Sequence, residues 1–385
     1  MAPRLSGLIL AAGFSSRMQA LKPLLPLGET SVLGQCIDTL RKSGIQDIMV
    51  VAGHRGSEVA VEAVAHGARA VLNADFADGM FSSIRCGAQQ LGEAEYVALL
   101  PVDIPLIRSG TLYLMQQALQ GRTGVQVVHP EFNDQRGHPL LIATALLRDL
   151  VRAASAPGGL RPLLERHERM QPEQVVSVKV PDANILFDMD TPESYAACCE
   201  RFPRRDYPTL EEGAVILEHI YPMPPKGVAH GHLVGELAAG FAEAINVYRD
   251  AGLCVDLCRV AGWLHDVAKG QEHHEETGGR WLDGLGFSRA ACIVAAHKDL
   301  DWHPGDPLTE RELVHLADKL AKGGRLVTLD QRFGEKSALY KDDPDAQEAV
   351  QSRYLLAQEL ALALEEASGQ TFVALCAHLA SRCSR

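Results

Sequence analysis

The sequence predicts two folds in tandem: an α/β domain built on a mostly parallel sheet, followed by an all-α domain. Three observations predict this. The chain has 385 residues, long for one domain and natural for two of roughly 150–200 residues each. Its first half alternates short apolar runs with amphipathic helical segments, the pattern of βαβ crossovers and a sheet covered on both faces. Its second half loses the strand-like runs and keeps only helical periodicity.

The elements follow in order. Leu8–Ala12 is an apolar run that reads as the first strand. Ser31–Gly44 places Val32, Leu33, Cys36, Ile37 and Leu40 at helical spacing and ends on a glycine stop. Strands are expected over Ile45–Gly53, Ala68–Leu72, Tyr96–Leu100 and Val125–Val128, and helices over Ser57–His66, Phe81–Leu91 and Thr111–Leu119. Ligands of such sheets gather at the carboxyl ends of the strands, so the loops after strands are where chemistry is expected. The charged segment around Arg201–Pro208, with two prolines, reads as a linker. Beyond it, Leu233–Tyr248, Val255–Val267, Arg289–His297, Glu310–Lys322 and Asp345–Ala367 read as amphipathic helices. The expected division is therefore 1–202, a linker at 203–212, and 213–385.

Composition narrows the function classes. A net charge of −12 argues against a nonspecific nucleic-acid binder, whose affinity comes from clustered cations. It leaves room for a small anionic substrate held by a few local cations and metal ions. The 46 % hydrophobic content supplies two cores, and no stretch approaches the ~18–20 apolar residues of a membrane span. The start reads as a strand and not as a secretory signal. Nine scattered cysteines form no CxxC pair, so reduced thiols in the cytoplasm are expected.

Gly7–Pro26 holds the strongest signal of the first half: a strand ending at Ala12, then Gly13, Ser15, Arg17 and Lys22, then Leu-Leu-Pro. Gly13 lets a nucleotide approach the backbone, and Arg17 and Lys22 are charge-assisted donors for a triphosphate. The segment resembles the motif of MobA-like NTP transferases, in particular the molybdenum cofactor cytidylyltransferase branch. Asn73–Gly87, Leu100-Pro-Val-Asp-Ile-Pro, Gly137-His-Pro-Leu-Leu and Phe187-Asp-Met-Asp-Thr-Pro-Glu continue the resemblance over about 200 residues. It implies a Rossmann-like sheet of the nucleotide-diphospho-sugar-transferase type. It further implies nucleotide contacts from Ala11, Ala12, Gly13, Ser15, Arg17, Lys22, Asn73 and Ser83, with Asp103 and Asp190 on Mg²⁺. Arg17, Lys22 and Asp103 would be catalytic. His138 is either structural or an acceptor contact. The chemistry implied is attack by an acceptor phosphate, such as molybdopterin, on the α-phosphorus of an NTP. Leu10-Ala-Ala-Gly13 favours CTP, and a molybdoenzyme or its maturation factor would be a further partner. Gln19 departs from the family's glycine; if the site needs a positive φ, nucleotide choice is in question.

In the second half, Trp263-Leu-His-Asp-Val-Ala-Lys resembles the core of HD-domain metal-dependent phosphohydrolases, which are helical bundles. The segments around His230, His274, His297 and Asp318 follow in the family's order. The resemblance implies a cage of His230, His265, Asp266, His274, His297 and Asp318 for one or two divalent transition metals, with Asp266 bridging and catalytic Lys269 assisting phosphate binding. His274 is preferred to His273 because it stands four residues before Gly278. His219, His232, His303 and His315 fall outside the matched positions. Three other readings stay open: a structural metal, a different phosphorylated acceptor (a sugar or alcohol phosphate), and a regulatory protein in which one domain only senses nucleotide or metal.

Overall fold

The computed structural model describes residues 3–153, 159–298 and 300–383. The chain divides into two compact units, Met1–Arg205 and Asp206–Arg385. The division falls within the proline-bearing segment, between Arg205 and Asp206. Arg205 hydrogen-bonds Gln35 in the first unit, and the Asp206 carbonyl accepts from Arg289 N in the second.

The first unit is α/β. Its elements run β1 (Leu5–Ala11), the β2–β3 hairpin (Pro26–Leu27 and Thr30–Ser31), α1 (Val32–Lys42), β4 (Asp47–Ala52), α2 (Gly56–Ala65), β5 (Arg69–Leu72), α3 (Met80–Gln90) and β6 (Tyr96–Pro101). Then come α4 (Ser109–Gln117), β7 (Val127–Phe132), β8 (Gln135–Arg136), β9 (Leu140–Ala143), α5 (Thr144–Ala153), α6 (Leu160–Met170), β10 (Val175–Lys179) and α7 (Pro192–Arg201). The sheet order is β10-β7-β9-β6-β1-β4-β5, with β8 beside β7. β5, β4, β1 and β6 are mutually parallel, and β9 runs antiparallel to both β6 and β7.

The centre of the sheet explains its sequence. β1 is buried along six consecutive residues, as a strand covered on both faces must be. The Ser31 side chain caps α1 by accepting from Gly34 N, and the helix buries Val32, Leu33, Cys36, Ile37 and Leu40. β1 and β6 end side by side, with Leu10 opposite Pro101. The loops that leave them therefore meet at one edge.

The second unit is helical: α8 (Leu210–Val215), α9 (Pro225–Arg249), α10 (Val255–Leu264), α11 (His274–Gly284), α12 (Ser288–Ala295), α13 (Glu310–Leu320), α14 (Leu329–Leu339), α15 (Pro344–Ser368) and α16 (Phe372–Cys383). One small exception interrupts it. Ala321–Lys322 (β11) pairs with Arg325–Leu326 (β12) across Gly323 and Gly324, both at positive φ. Gly-Gly between paired residues is a two-residue hairpin signal, and it ends α13 at Leu320 where a longer helix was expected. α10 likewise ends three residues early, which puts His265 and Asp266 in the turn beyond it. Among the described residues no helix is long and apolar enough to cross a membrane.

One buried network fixes the segment that returns to the edge of the first unit. The Asp182 carboxylate, 1 % exposed, accepts from Arg108 N and Nη1 at 2.7 and 2.9 Å, Thr111 Oγ1 at 2.8 Å and Asn184 Nδ2 at 3.1 Å. Asp182→Ala leaves the guanidinium buried without its carboxylate and should destabilise the first unit by about 3–5 kcal/mol. Denaturant unfolding of the full chain checks this; a loss below about 1 kcal/mol would contradict the role given to the network.

Candidate active sites

In the first unit, the loop after β1, the loop after β6 and the segment before α7 converge. Lys22 Nζ lies 2.5 Å from Asp190 Oδ1 and 3.6 Å from Asp103 Oδ2, and Arg17 Nη2 lies 2.6 Å from Asp190 Oδ2. Backbone bonds set this up: Met189 N donates to the Asp103 carbonyl at 2.8 Å and Lys22 N to Ser15 Oγ at 3.2 Å. Burial raises the Asp103 carboxyl; Lys22 opposes this, and the neighbouring charges of Asp188 and Asp190 push it up further. The hydrogen bond from Lys22 holds Asp190 below its usual range. Two carboxylates on one lysine, with the charge of Asp188 acting on Asp103, form a cation-seeking set of hard oxygens. That fits Mg²⁺, which takes one or two carboxylates together with phosphate oxygens and water.

A cavity of about 310 Å³ opens on this cluster, lined by Ala11, Ala12, Gly13, Ser15, Lys22, Ser83 and Asp103 among others. A Cβ on Gly13 would meet nothing within 4 Å, so the room that glycine leaves lies in the cavity. Asn73 is not among its lining residues. Its amide donates to Ser82 and Ser83 Oγ at 2.8 and 3.0 Å and so positions the loop that carries Ser83. His138 lines a second cavity of about 630 Å³, which shares Leu10, Met80 and Pro101 with the first.

In the second unit the six residues expected in a cage come together. Asp266 stands between two groups. Its Oδ2 is 3.5 Å from His265 Nε2 and 3.9 Å from His230 Nε2; its Oδ1 is 3.5 Å from His274 Nε2 and 3.9 Å from His297 Nε2. Asp318 Oδ1 adds a contact 3.2 Å from His230 and 3.5 Å from His265. Both trios, His230–His265–Asp266 and Asp266–His274–His297, are compact enough to hold a metal ion.

Packing produces this arrangement. α9 crosses α10 with backbones nearly touching: a Cβ on Gly262 would fall 2.5 Å from Gly235 Cα, and one on Gly231 2.5 Å from the Trp263 carbonyl. The rings of His230 and His265 are thereby 5.1 Å apart. His265 Nδ1 and His297 Nδ1 face the carbonyls of Gly262 and Val294 at 2.8 and 2.7 Å, which fixes those nitrogens as donors and aims Nε2 inward.

Charge follows geometry. Burial opposes it, but the carboxylates of Asp318 and Asp266 hold the His265 imidazole above its usual range. Burial and the charge of His265 push His297 down to about 4, leaving it neutral as a ligand must be. His265 Nε2 is buried without a hydrogen-bond partner. An orphaned imidazole nitrogen facing two carboxylates fits a metal ligand.

Residues 7–170 match the MobA-like NTP transferase domain and residues 228–323 match the HD domain. The chain carries both domains. Over 200 residues it is 27 % identical to the molybdenum cofactor cytidylyltransferase of Escherichia coli, covering 51 % of this chain and 95 % of that protein. It is 26 % identical over 197 residues to the nicotine blue oxidoreductase of Paenarthrobacter nicotinovorans, covering 50 % and 94 %. A solved nucleotidyl transferase from Methanothermobacter is 22 % identical, with a TM-score of 0.45 and coverage of 52 % and 98 %.

The transferase domain is thus homologous to a cytidylyltransferase, and its departure at Gln19 has a structural counterpart. Gln19 adopts φ 56, the left-handed region in which a side chain costs about 1–2 kcal/mol. In the HD domain the same conformation occurs at His273. His273 takes φ 45 as the N-cap of α11 and stays exposed, whereas His274 opens the helix facing Asp266. His232 lies against the Trp263 ring, outside the cage.

Sequence reasoning missed two neighbours. Asp188 stands two residues from Asp190 across buried Met189, and that spacing in an extended segment was its signal. Glu275 Oε2 lies 3.0 Å from His274 Nδ1, close enough for its charge to act on that imidazole.

Burial opposes ionisation of Glu275, but the Lys298 ammonium, its own backbone amide and His274 hold its carboxyl down at about 2, against an ordinary 4.5. Its contribution to stability is therefore complete above about pH 4.5 and lost as pH falls toward 2. Glu275→Gln should flatten the fall of Tm between pH 5 and pH 2, and weaken metal at His274 about 10–100-fold. An unchanged acid limb with unchanged metal affinity would contradict both effects.

Proposed function

We propose that the N-terminal unit transfers CMP from CTP to a phosphorylated acceptor of the molybdopterin type, and that the C-terminal unit hydrolyses phosphoester or anhydride bonds. The convergence of Arg17, Lys22, Asp103 and Asp190 at the ends of β1 and β6 carries the first part. An acceptor phosphate oxygen attacks the α-phosphorus, the bond to the bridging oxygen breaks, and pyrophosphate leaves with the electron pair. Lys22 and Arg17 neutralise charge on the triphosphate and leaving group, while the loop after β1 orients them. Mg²⁺ held by Asp103 and Asp190 would neutralise phosphate charge. The adjoining cavity lined by His138 is the place for the acceptor. Leu10-Ala-Ala-Gly13, together with the similarity to a cytidylyltransferase, supports CTP.

In the C-terminal unit, His230, His265, Asp266 and Asp318 would hold one divalent transition metal, and His274 and His297 with Asp266 a second. Such metals supply hydroxide at neutral pH and neutralise phosphate charge. Lys269, on Asp266 Oδ2 at 2.5 Å, stands at the mouth to bind a phosphate oxygen.

Pyrophosphate release across a panel of NTPs and acceptors tests the transferase. CTP with a molybdopterin-type acceptor should be preferred, and Asp103→Ala or Lys22→Ala should lower turnover about 10²–10³-fold or more while the fold persists. A preference for GTP, or full activity in Asp103→Ala, would overturn the reading.

Metal analysis of variants tests the cage. Asp266→Ala should remove all metal and all hydrolysis, because its two oxygens serve both groups. His274→Ala and His297→Ala should keep roughly one equivalent and lose about 10–100-fold in activity. His273→Ala and His232→Ala should behave as the parent. Metal content unchanged in every one of these variants would defeat the cage.

A further inference from the structure

We propose that the C-terminal unit takes an organic substrate bearing at least two phosphate groups, the outer ones held by Arg332 and Lys336. The proposal rests on the metal-hydrolase reading of the cage and adds to it the charge of the substrate and the residues that select for it.

A cavity of about 270 Å³ opens on the cage, and six cations line it: Lys269, Lys298, Lys319, Arg332, Lys336 and Arg353. Lys269 pairs with Asp266 at 2.5 Å, Lys298 with Glu275 at 2.8 Å and Lys319 with Asp318 at 2.9 Å. Arg332 and Lys336 are different. They stand four residues apart on one face of α14, and neither forms an ion pair with a carboxylate among the described residues. Arg332 Nε is buried without a hydrogen-bond partner. Burial, and then the like charges of Arg332 and Lys319, hold the Lys336 ammonium below its usual range.

Cations gathered in this way repel one another. In a chain of net charge −12 such a cluster runs against the general composition, and an anion bound in the cavity offsets the repulsion. One phosphate group over the cage would be met by the metals and Lys269. The two cations of α14 exceed what a single phosphate uses and match further phosphate groups. α14 follows the residues matched by the HD domain, 228–323, so this part of the cavity is supplied by the chain's own extension. A second cavity of about 400 Å³ shares His230, Lys269 and Arg332 with the first and is walled by Pro222, Met223, Pro224 and Val267. Its apolar wall gives the organic part of the substrate a place beside the phosphates.

Calorimetric titration of the metal-loaded full chain tests this, with inorganic tripolyphosphate and orthophosphate as probes and metal content measured before and after. The parent should bind tripolyphosphate at least about tenfold more tightly than orthophosphate, and Arg332→Gln and Lys336→Gln should each weaken it by about 10–100-fold, the worth of a charged hydrogen bond. Lys341→Gln should bind as the parent does. Equal affinity for the two anions, or unaltered affinity in both α14 variants, would overturn the proposal. A chain that holds no metal yet binds tripolyphosphate through Arg332 and Lys336 would refute the hydrolase reading and leave the polyphosphate site standing.

Discussion

A carboxylate taken out of water must be met by positive charge or by hydrogen-bond donors, and both units are organised around that demand. In the first unit Asp182 is satisfied entirely by neighbours on the chain, which anchors the segment leading to Asp188 and Asp190. Asp103 is satisfied only in part: burial and two further carboxylates raise it, and one lysine opposes them. In the second unit Asp318 lies well below its usual range despite burial, because Lys319, His230 and His265 surround it. The first arrangement is structural, the second leaves Asp103 short of positive charge, and the third gathers carboxylate oxygens and imidazole nitrogens in one place.

The backbone makes these encounters possible in two different ways. In the transferase domain, parallel strands ending side by side bring together loops that are distant in sequence, as open α/β sheets do. In the HD domain, the near-contact of α9 and α10 through Gly231, Gly235 and Gly262 presses His230 toward His265. A bulkier residue at any of these glycines would separate the ligands before it touched either one.

Much of this was legible in the sequence. Strand runs, helical periodicity and the order of histidines and aspartates placed the α/β and helical halves, and the six cage residues lie together. The less legible parts depend on contacts that leave no periodic trace. Glu275 and Asp188 act through a neighbour brought close by folding. Nothing in the spacing of Arg332 and Lys336 marks them until α13, α15 and the cage stand around them. Asn73, expected at the nucleotide, donates its amide to Ser82 and Ser83, a use that its residue type alone does not reveal. The Gly323–Gly324 hairpin was readable as a paired-glycine turn, yet the strong helical pattern before it masked the signal. Gln19 is the reverse case: a departure from a resembling motif pointed to a left-handed residue, and φ is 56.

The central proposal is that this chain holds metal at two places, at Asp103 with Asp190 and on both sides of Asp266. Anomalous diffraction from crystals grown with manganese addresses it most directly, since it locates the ions without reference to activity. The account predicts one peak on each side of the Asp266 carboxylate, among His230, His265 and Asp318 and between His274 and His297, and a further peak at Asp103 and Asp190 when nucleotide is present. Manganese confined to exposed surface carboxylates, with none at Asp266 or Asp103, would contradict it.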